Sequence, residues 1–240
     1  MLLLSVKDLC VKIDDKDILD KINLEINEKE VHVIMGKNGT GKTTLGLSLM
    51  GHPSYNVSGS ISFQGEELIN KTPDYRSRKG IFLSMQNPIE IKGVNNSDFY
   101  RAILKAHQKS MKVFDFALKY ESELEALNMK PDLASRFLND GFSGGEKKKN
   151  EVLQMKFLEP KLIILDEIDS GLDVDALKIV GSNISKLVEN GASLIVITHY
   201  KRILDYVKVD KVHVIDNKKI VLSGDRSLVE KIDVEGFDGI

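Results

Sequence analysis

The chain has 240 residues, 42% hydrophobic and 29% charged, enough for one large α/β domain or a core carrying a subdomain. Thirty-four Lys and Arg against 36 Asp and Glu leave a net charge of −2, which argues against a nucleic-acid partner. A single cysteine, Cys10, excludes an internal disulfide, and no apolar run nears the roughly 20 residues needed to span a bilayer. With no charged-then-apolar leader segment, a cytoplasmic protein without direct membrane insertion is expected.

In chain order, Cys10 lies between Leu9 and Val11 in an expected strand, where a buried structural thiol is predicted. A polar turn at Asp14-Asp15-Lys16-Asp17 then precedes Ile22–Ile26, which alternates with period two, so the first thirty residues read as antiparallel strands. The apolar run Val31–Met35 reads as a buried strand. Directly after it, Gly36-Lys37-Asn38-Gly39-Thr40-Gly41-Lys42-Thr43 fits the phosphate-loop pattern, and a helix opens at Thr44. Glycines let consecutive N–H groups turn inward around a phosphate, and the helix N-terminus adds partial positive charge. Lys42 is expected to reach the β- and γ-phosphates, and the Thr43 hydroxyl to sit on Mg²⁺. Ser58–Gly65 reads as a short strand, and Gly80–Met85 as a buried strand ending at Gln86. From about Ser97 to Asn139 the pattern is helical with no strand, so 89–142 is expected to be a helical subdomain inserted between 1–88 and 143–240, the nucleotide-binding core. Helix and strand alternate again from Ser143, as in a mainly parallel sheet covered on both faces.

Ser143-Gly144-Gly145-Glu146 opens a helix that runs to Leu158. Ser143 and Glu146 have capping-box spacing. Capping does not account for Gly144 and Gly145, which cost a helix of order 1 kcal/mol each against Ala. They make sense where something must approach bare backbone closely, so this helix tip is a second candidate phosphate cradle. Lys147, Lys148 and Lys149 are expected on a solvated face. Asp166 and Glu167 close the apolar strand Leu162–Leu165, at the strand end where open α/β sheets bind ligands.

Phosphate loop, Gln86, Ser143–Glu146 and Asp166-Glu167, in that order, resemble the ABC-type ATPases. The resemblance implies a P-loop fold with a mixed sheet core, N-terminal antiparallel strands and an inserted helical subdomain. It implies ATP and Mg²⁺, with Thr43, Gln86 and Asp166 on the metal and Glu167 orienting or deprotonating the attacking water. His199, at the end of the run Ile195–Thr198, matches the histidine that bonds the γ-phosphate. Ser143–Glu146 would contact the nucleotide of a second copy, giving a nucleotide-dependent head-to-tail homodimer, and Asp173 in Ser170–Asp173 belongs to the loop crossing that interface. His32, His52, His107 and His213 receive no role. The family commonly stacks adenine on an aromatic residue, which the matching stretch Val11–Asp14 lacks.

The intervening runs narrow the resemblance. Gln86–Val94, Gly141–Asn150, Ile168–Leu177 and Thr198–Tyr206 resemble the SufC family, ATPase subunits of the Suf machinery for iron–sulfur cluster assembly. Lys37 and Lys92 stand where that family often has Pro. One cysteine per chain cannot provide a four-thiolate cluster site. The resemblance therefore implies a motor for SufB/SufD-like scaffold subunits that own the ligands. The alternatives are the ATP-hydrolysing subunit of a membrane ABC transporter, and a nucleotide-dependent binding module, which intact Glu167 and His199 disfavour.

Overall fold

Alternating burial builds the first layer. The computed structural model describes residues 1–199 and 201–239. β1 (Leu2–Ile13) and β2 (Lys16–Asn27) pair antiparallel, with Leu9 opposite Ile22 and Val6 opposite Leu24. Ile22, Leu24 and Ile26 are buried while Asn23 and Glu25 face solvent, as period-two patterning requires. Cys10 is half-exposed rather than buried: Leu9 and Val11 on either side point into the core, so the pleat turns the thiol outward.

β3 (Val31–Met35) is buried throughout and runs into the phosphate loop, followed by α1 (Lys42–Met50). β4 (Asn56–Phe63) adds to β1, and the short β5 (Glu66–Glu67) adds to β4, giving the antiparallel sheet order β2-β1-β4-β5. α2 (Pro73–Lys79) begins with Pro at its first position. From α2 the buried Arg76 donates to the carbonyls of Ser48 and Leu49 at 2.9 and 3.0 Å, satisfying C-terminal carbonyls of α1.

After β6 (Ile81–Ser84) come β7 (Ile91–Asn95), α3 (Asn96–Ala106), α4 (Val113–Ala126) and β8 (Phe137–Leu138). The expectation of an unbroken helical stretch is corrected here. Phe137-Leu138 pairs antiparallel with β7, and a two-residue strand is too short to leave a periodic signal. α5 (Gly144–Leu158) packs against both helices: Phe157 sits 5.2 Å from the Tyr100 ring and 5.6 Å from that of Phe116.

β9 (Leu162–Asp166), α6 (Val174–Glu189), β10 (Ser193–Ile197), β11 (Lys211–Asp216), β12 (Lys219–Gly224) and α7 (Ser227–Glu235) complete the chain. The main sheet has the order β12-β11-β3-β10-β9-β6, parallel except for the β11–β12 hairpin. Its strands divide their side chains between two cores. Val33, Leu165 and Val196 pack against α5 and α6, whereas Ile34, Ile164 and Ile197 pack toward α1 and the antiparallel sheet. Because β3, β9 and β10 are neighbours and parallel, the residues just past their C-terminal ends meet on one rim.

Candidate active site

The phosphate loop turns on glycines held at positive φ. Gly36 has φ +149°, and a Cβ there would lie 2.3 Å from the Ile215 carbonyl oxygen. Gly41, φ +102°, would press a Cβ to 2.6 Å from Leu19. Gly41 is the N-cap of α1 and supplies no side-chain cap, which leaves the first-turn N–H groups to an anion. The Lys37 carbonyl accepts from Thr40 Oγ1 at 3.0 Å, and Lys37, Asn38 and Gly39 form the exposed crest of the loop. Lys42 is buried, and its Nζ donates to the Gly36 and Lys37 carbonyls, both at 2.8 Å. Burial lowers its pKa, and the nearby charges of Glu167 and Asp166 act in the opposite direction.

Thr43, exposed beside the half-buried Thr44, donates its hydroxyl to Asp166 Oδ1 at 3.2 Å, joining the loop to the end of β9. Asp166 is buried, and that burial raises its pKa above the usual carboxylate value although the Thr43 hydrogen bond opposes the shift. The next residue, Glu167, adopts φ +49°, a left-handed conformation rare for a non-glycine residue and of the kind that gathers at functional sites. Its backbone N–H donates to Ile197 O at 2.9 Å, fixing the turn to β10. Its carboxylate is gripped from both sides: Gln86 Nε2 donates to Oε2 at 2.7 Å, and His199 Nε2 lies 2.9 Å from Oε1. Gln86 follows β6, Glu167 follows β9 and His199 follows β10, so the sheet order itself brings the three together. Tyr200, next in the sequence run that resembles the SufC family, lies outside the described residues.

Ser143–Glu146 stands apart from this cluster, at the N-terminus of α5. Both capping-box bonds form: Glu146 N–H donates to Ser143 Oγ at 3.2 Å, and Ser143 N–H donates to Glu146 Oε2 at 2.8 Å. A Cβ at Gly144 would meet nothing within 4 Å, and one at Gly145 would make only ordinary contacts at 3.8 and 3.9 Å. Packing within this chain therefore does not require either glycine. Asp173 is the N-cap of α6 and accepts from Ala176 N–H at 2.7 Å, a capping role the sequence reading did not assign.

Two further features escaped the sequence reading. Lys148 is not on a solvated face; it is 4% exposed, and its Nζ donates to the Met85 carbonyl at 2.6 Å. The side chain returns across α5 toward the end of β6, where one turn on Glu151 is also buried. Behind Glu167, Thr198 donates to Asp169 Oδ1 at 3.3 Å and Arg202 to the Asp169 carbonyl at 3.1 Å, bracing the turn. Glu151 has Lys147, Lys148 and Gln154 among its neighbours on the helix surface, so no apolar pattern marked it in the sequence.

A phosphate-binding loop after β3, a carboxylate pair at the end of β9 two strands away and a sheet of this order define an ATP-binding cassette. The sequence model of the family described as ABC transporter matches residues 19–170, and the chain belongs to that family. It is an ATPase that converts ATP and water to ADP and phosphate. The "Probable ATP-dependent transporter SufC" of Escherichia coli (strain K12) is 46% identical, over 98% of this chain and 97% of that protein. A "Probable ABC transporter ATP-binding protein" of Streptococcus pyogenes serotype M3 is also 46% identical, over 100% of this chain and 95% of that protein. A solved dimeric ATP-binding cassette bound to ADP and Pi shares the fold, with TM-score 0.79 and 17% identity over 93% of this chain and 98% of that one. Among the described residues, no helix is long and apolar enough to cross a membrane.

Proposed function

We propose that this chain hydrolyses ATP between two copies of itself and that the motion drives an iron–sulfur cluster scaffold complex. The observation that carries the catalytic reading is the double grip on Glu167. Gln86 and His199 hold a left-handed carboxylate residue at the rim beside the phosphate loop. In this reading, backbone N–H groups of the loop and the Lys42 ammonium bind the phosphates of ATP. Glu167 orients the attacking water and takes its proton, His199 bonds the γ-phosphate, and Gln86 keeps the carboxylate aimed.

Mg²⁺ fits the residues present. Thr43 hydroxyl, Asp166 carboxylate and Gln86 amide are hard oxygen donors of the kind this ion takes, and the first two already lie 3.2 Å apart. Among the described residues no group of three His, Cys, Asp or Glu side chains could hold a metal, so the mixed set is the candidate. When bound, the ion supplies neutralisation of phosphate charge. The glycines of the α5 tip support the dimer. With open space above Gly144 and no intrachain reason for either glycine, the tip suits close approach by the nucleotide of a second copy.

Partner choice rests on the relative named SufC and on the surface beside Gln86. Met85, Ile89, Ile91 and Val94 are exposed there, an apolar strip next to a catalytic group and suited to a SufB/SufD-like subunit. Crosslinking between scaffold subunits should increase with ATP and persist in Glu167→Gln; crosslinks unchanged in both would refute the coupling. A second reading, the motor of a membrane transporter, is favoured by equally similar relatives that carry transporter names. Purification from the native cell separates the two, since scaffold subunits and a multispanning permease are readily told apart.

A further inference from the structure

The side chains that hold Met85, the residue before Gln86, lie on α5 and not on its own strand. Gln86 begins an irregular segment just past β6, beyond the reach of the sheet's backbone ladder. Glu151 reaches that point from α5: Oε2 accepts from Ser84 Oγ at 2.7 Å and Oε1 from Met85 N–H at 2.9 Å. Lys148, one turn earlier, donates to the Met85 carbonyl at 2.6 Å and lies 3.6 Å from Glu151 Oε2. Both polar groups of Met85, the residue before Gln86, are thus held by two side chains from one helix. Glu151 and Lys148 are 5% and 4% exposed, and a buried ion pair is rarely a net gain in stability. Its effect is geometric. Met85 cannot shift without breaking charge-assisted hydrogen bonds to two buried side chains. Two more bonds reach the same segment from the helical region: Asn139 Nδ2 donates to Ile89 O at 2.8 Å, and Lys147 Nζ to Glu90 Oε1 at 2.6 Å.

We propose that Glu151, with Lys148, is a positioning residue that sets Gln86 against Glu167 by holding both polar groups of Met85. The inference rests on the catalytic reading of Gln86 above. The Gln86–Glu167 contact of 2.7 Å is then fixed from α5 through Met85. The linkage is mechanical and needs no change of protonation.

A double-mutant cycle on the full chain tests it, reading kcat, binding of a fluorescent ATP analogue and thermal melting for Glu151→Gln, Gln86→Ala and the pair. Each single variant should lower kcat about 10-fold or more while analogue Kd stays within about 3-fold, because the phosphate loop is untouched. The double variant should fall no more than about 2-fold below Gln86→Ala, the signature of one group acting through another. Multiplying losses, or an unchanged kcat in Glu151→Gln, would overturn the proposal. Unchanged kcat in Gln86→Ala would instead sink the role given to Gln86, and the clamp's purpose with it. Should Glu151→Gln melt early, Ser84→Ala deletes one hydroxyl and gives the same cycle with a smaller first step. Equal losses from Ser84→Ala with and without Gln86 would again count against the clamp.

Discussion

Acidification should destabilise this protein through a pair of buried histidines on the adjacent strands β3 and β11. His32 on β3 and His213 on β11 approach at 3.0 Å between Nδ1 and Nε2. The chain of contacts continues from His32 Nε2 to Glu30 Oε2 at 3.0 Å and from His213 Nδ1 to Ser223 Oγ at 2.7 Å. Burial, then the neighbouring His32 and Lys211, push His213 from 6.5 down to about 4; His32 is also lowered, by burial foremost. The unfolded chain therefore binds more protons than the folded one between about pH 6.5 and 4, and stability falls with pH across that window. For His213 alone, the drop from pH 7.5 to 4.5 works out at about 2–3 kcal/mol. Burial raises the pKa of Glu151, Asp166 and Asp169, which works in the opposite direction, so the clean quantity is a difference between proteins. Urea unfolding at the two pH values, in wild type and His213→Gln, isolates it. Wild type should lose about 2 kcal/mol more than the variant. Equal losses would refute the reasoning. Glu30, whose desolvation is outweighed by hydrogen bonds from Asn27 and His32 that hold it at about 2, begins to cost stability as pH falls past its ordinary 4.5, and it does so in wild type and variant alike.

The helix tip gives a sharp separation of stability from activity. Gly144→Ala should raise the melting temperature, since Ala gains up to about 1 kcal/mol in a helix and its methyl meets open space, yet phosphate release should collapse about 100-fold. Ser143→Ala breaks the capping box and should cost about 1 kcal/mol in urea unfolding. Gly36→Ala should unfold at markedly lower denaturant than wild type, because its methyl would sit 2.3 Å from the Ile215 carbonyl oxygen.

The parts of the site that sit at the ends of apolar runs were legible in the sequence. A buried parallel strand followed by glycine or by a carboxylate leaves a local signal, and Val31–Met35 before Gly36 and Leu162–Leu165 before Asp166 both carry it. Contacts between residues distant in sequence leave none. His32 and His213 lie 181 residues apart, and only the pairing of adjacent parallel strands, with His213 two residues past the register partner of His32, brings them together. Glu151 and Met85 are 66 residues apart, and Lys148 looks like one member of a basic run until α5 is laid against β6. Pro73–Lys79 shows the local limit: a seven-residue helix, mostly charged, has too few apolar positions for periodicity to register. Cys10 was misjudged for the opposite reason, since its apolar neighbours hid the pleat that turns it outward.

Sedimentation velocity of Glu167→Gln with saturating Mg-ATP tests the central claim most directly. A chain that binds ATP through Gly36–Thr43 but cannot complete hydrolysis should accumulate as a dimer, and Gly144→Ala added to it should return the monomer. A protein that stays monomeric at every ATP concentration, or that turns over ATP at the wild-type rate, would contradict the account.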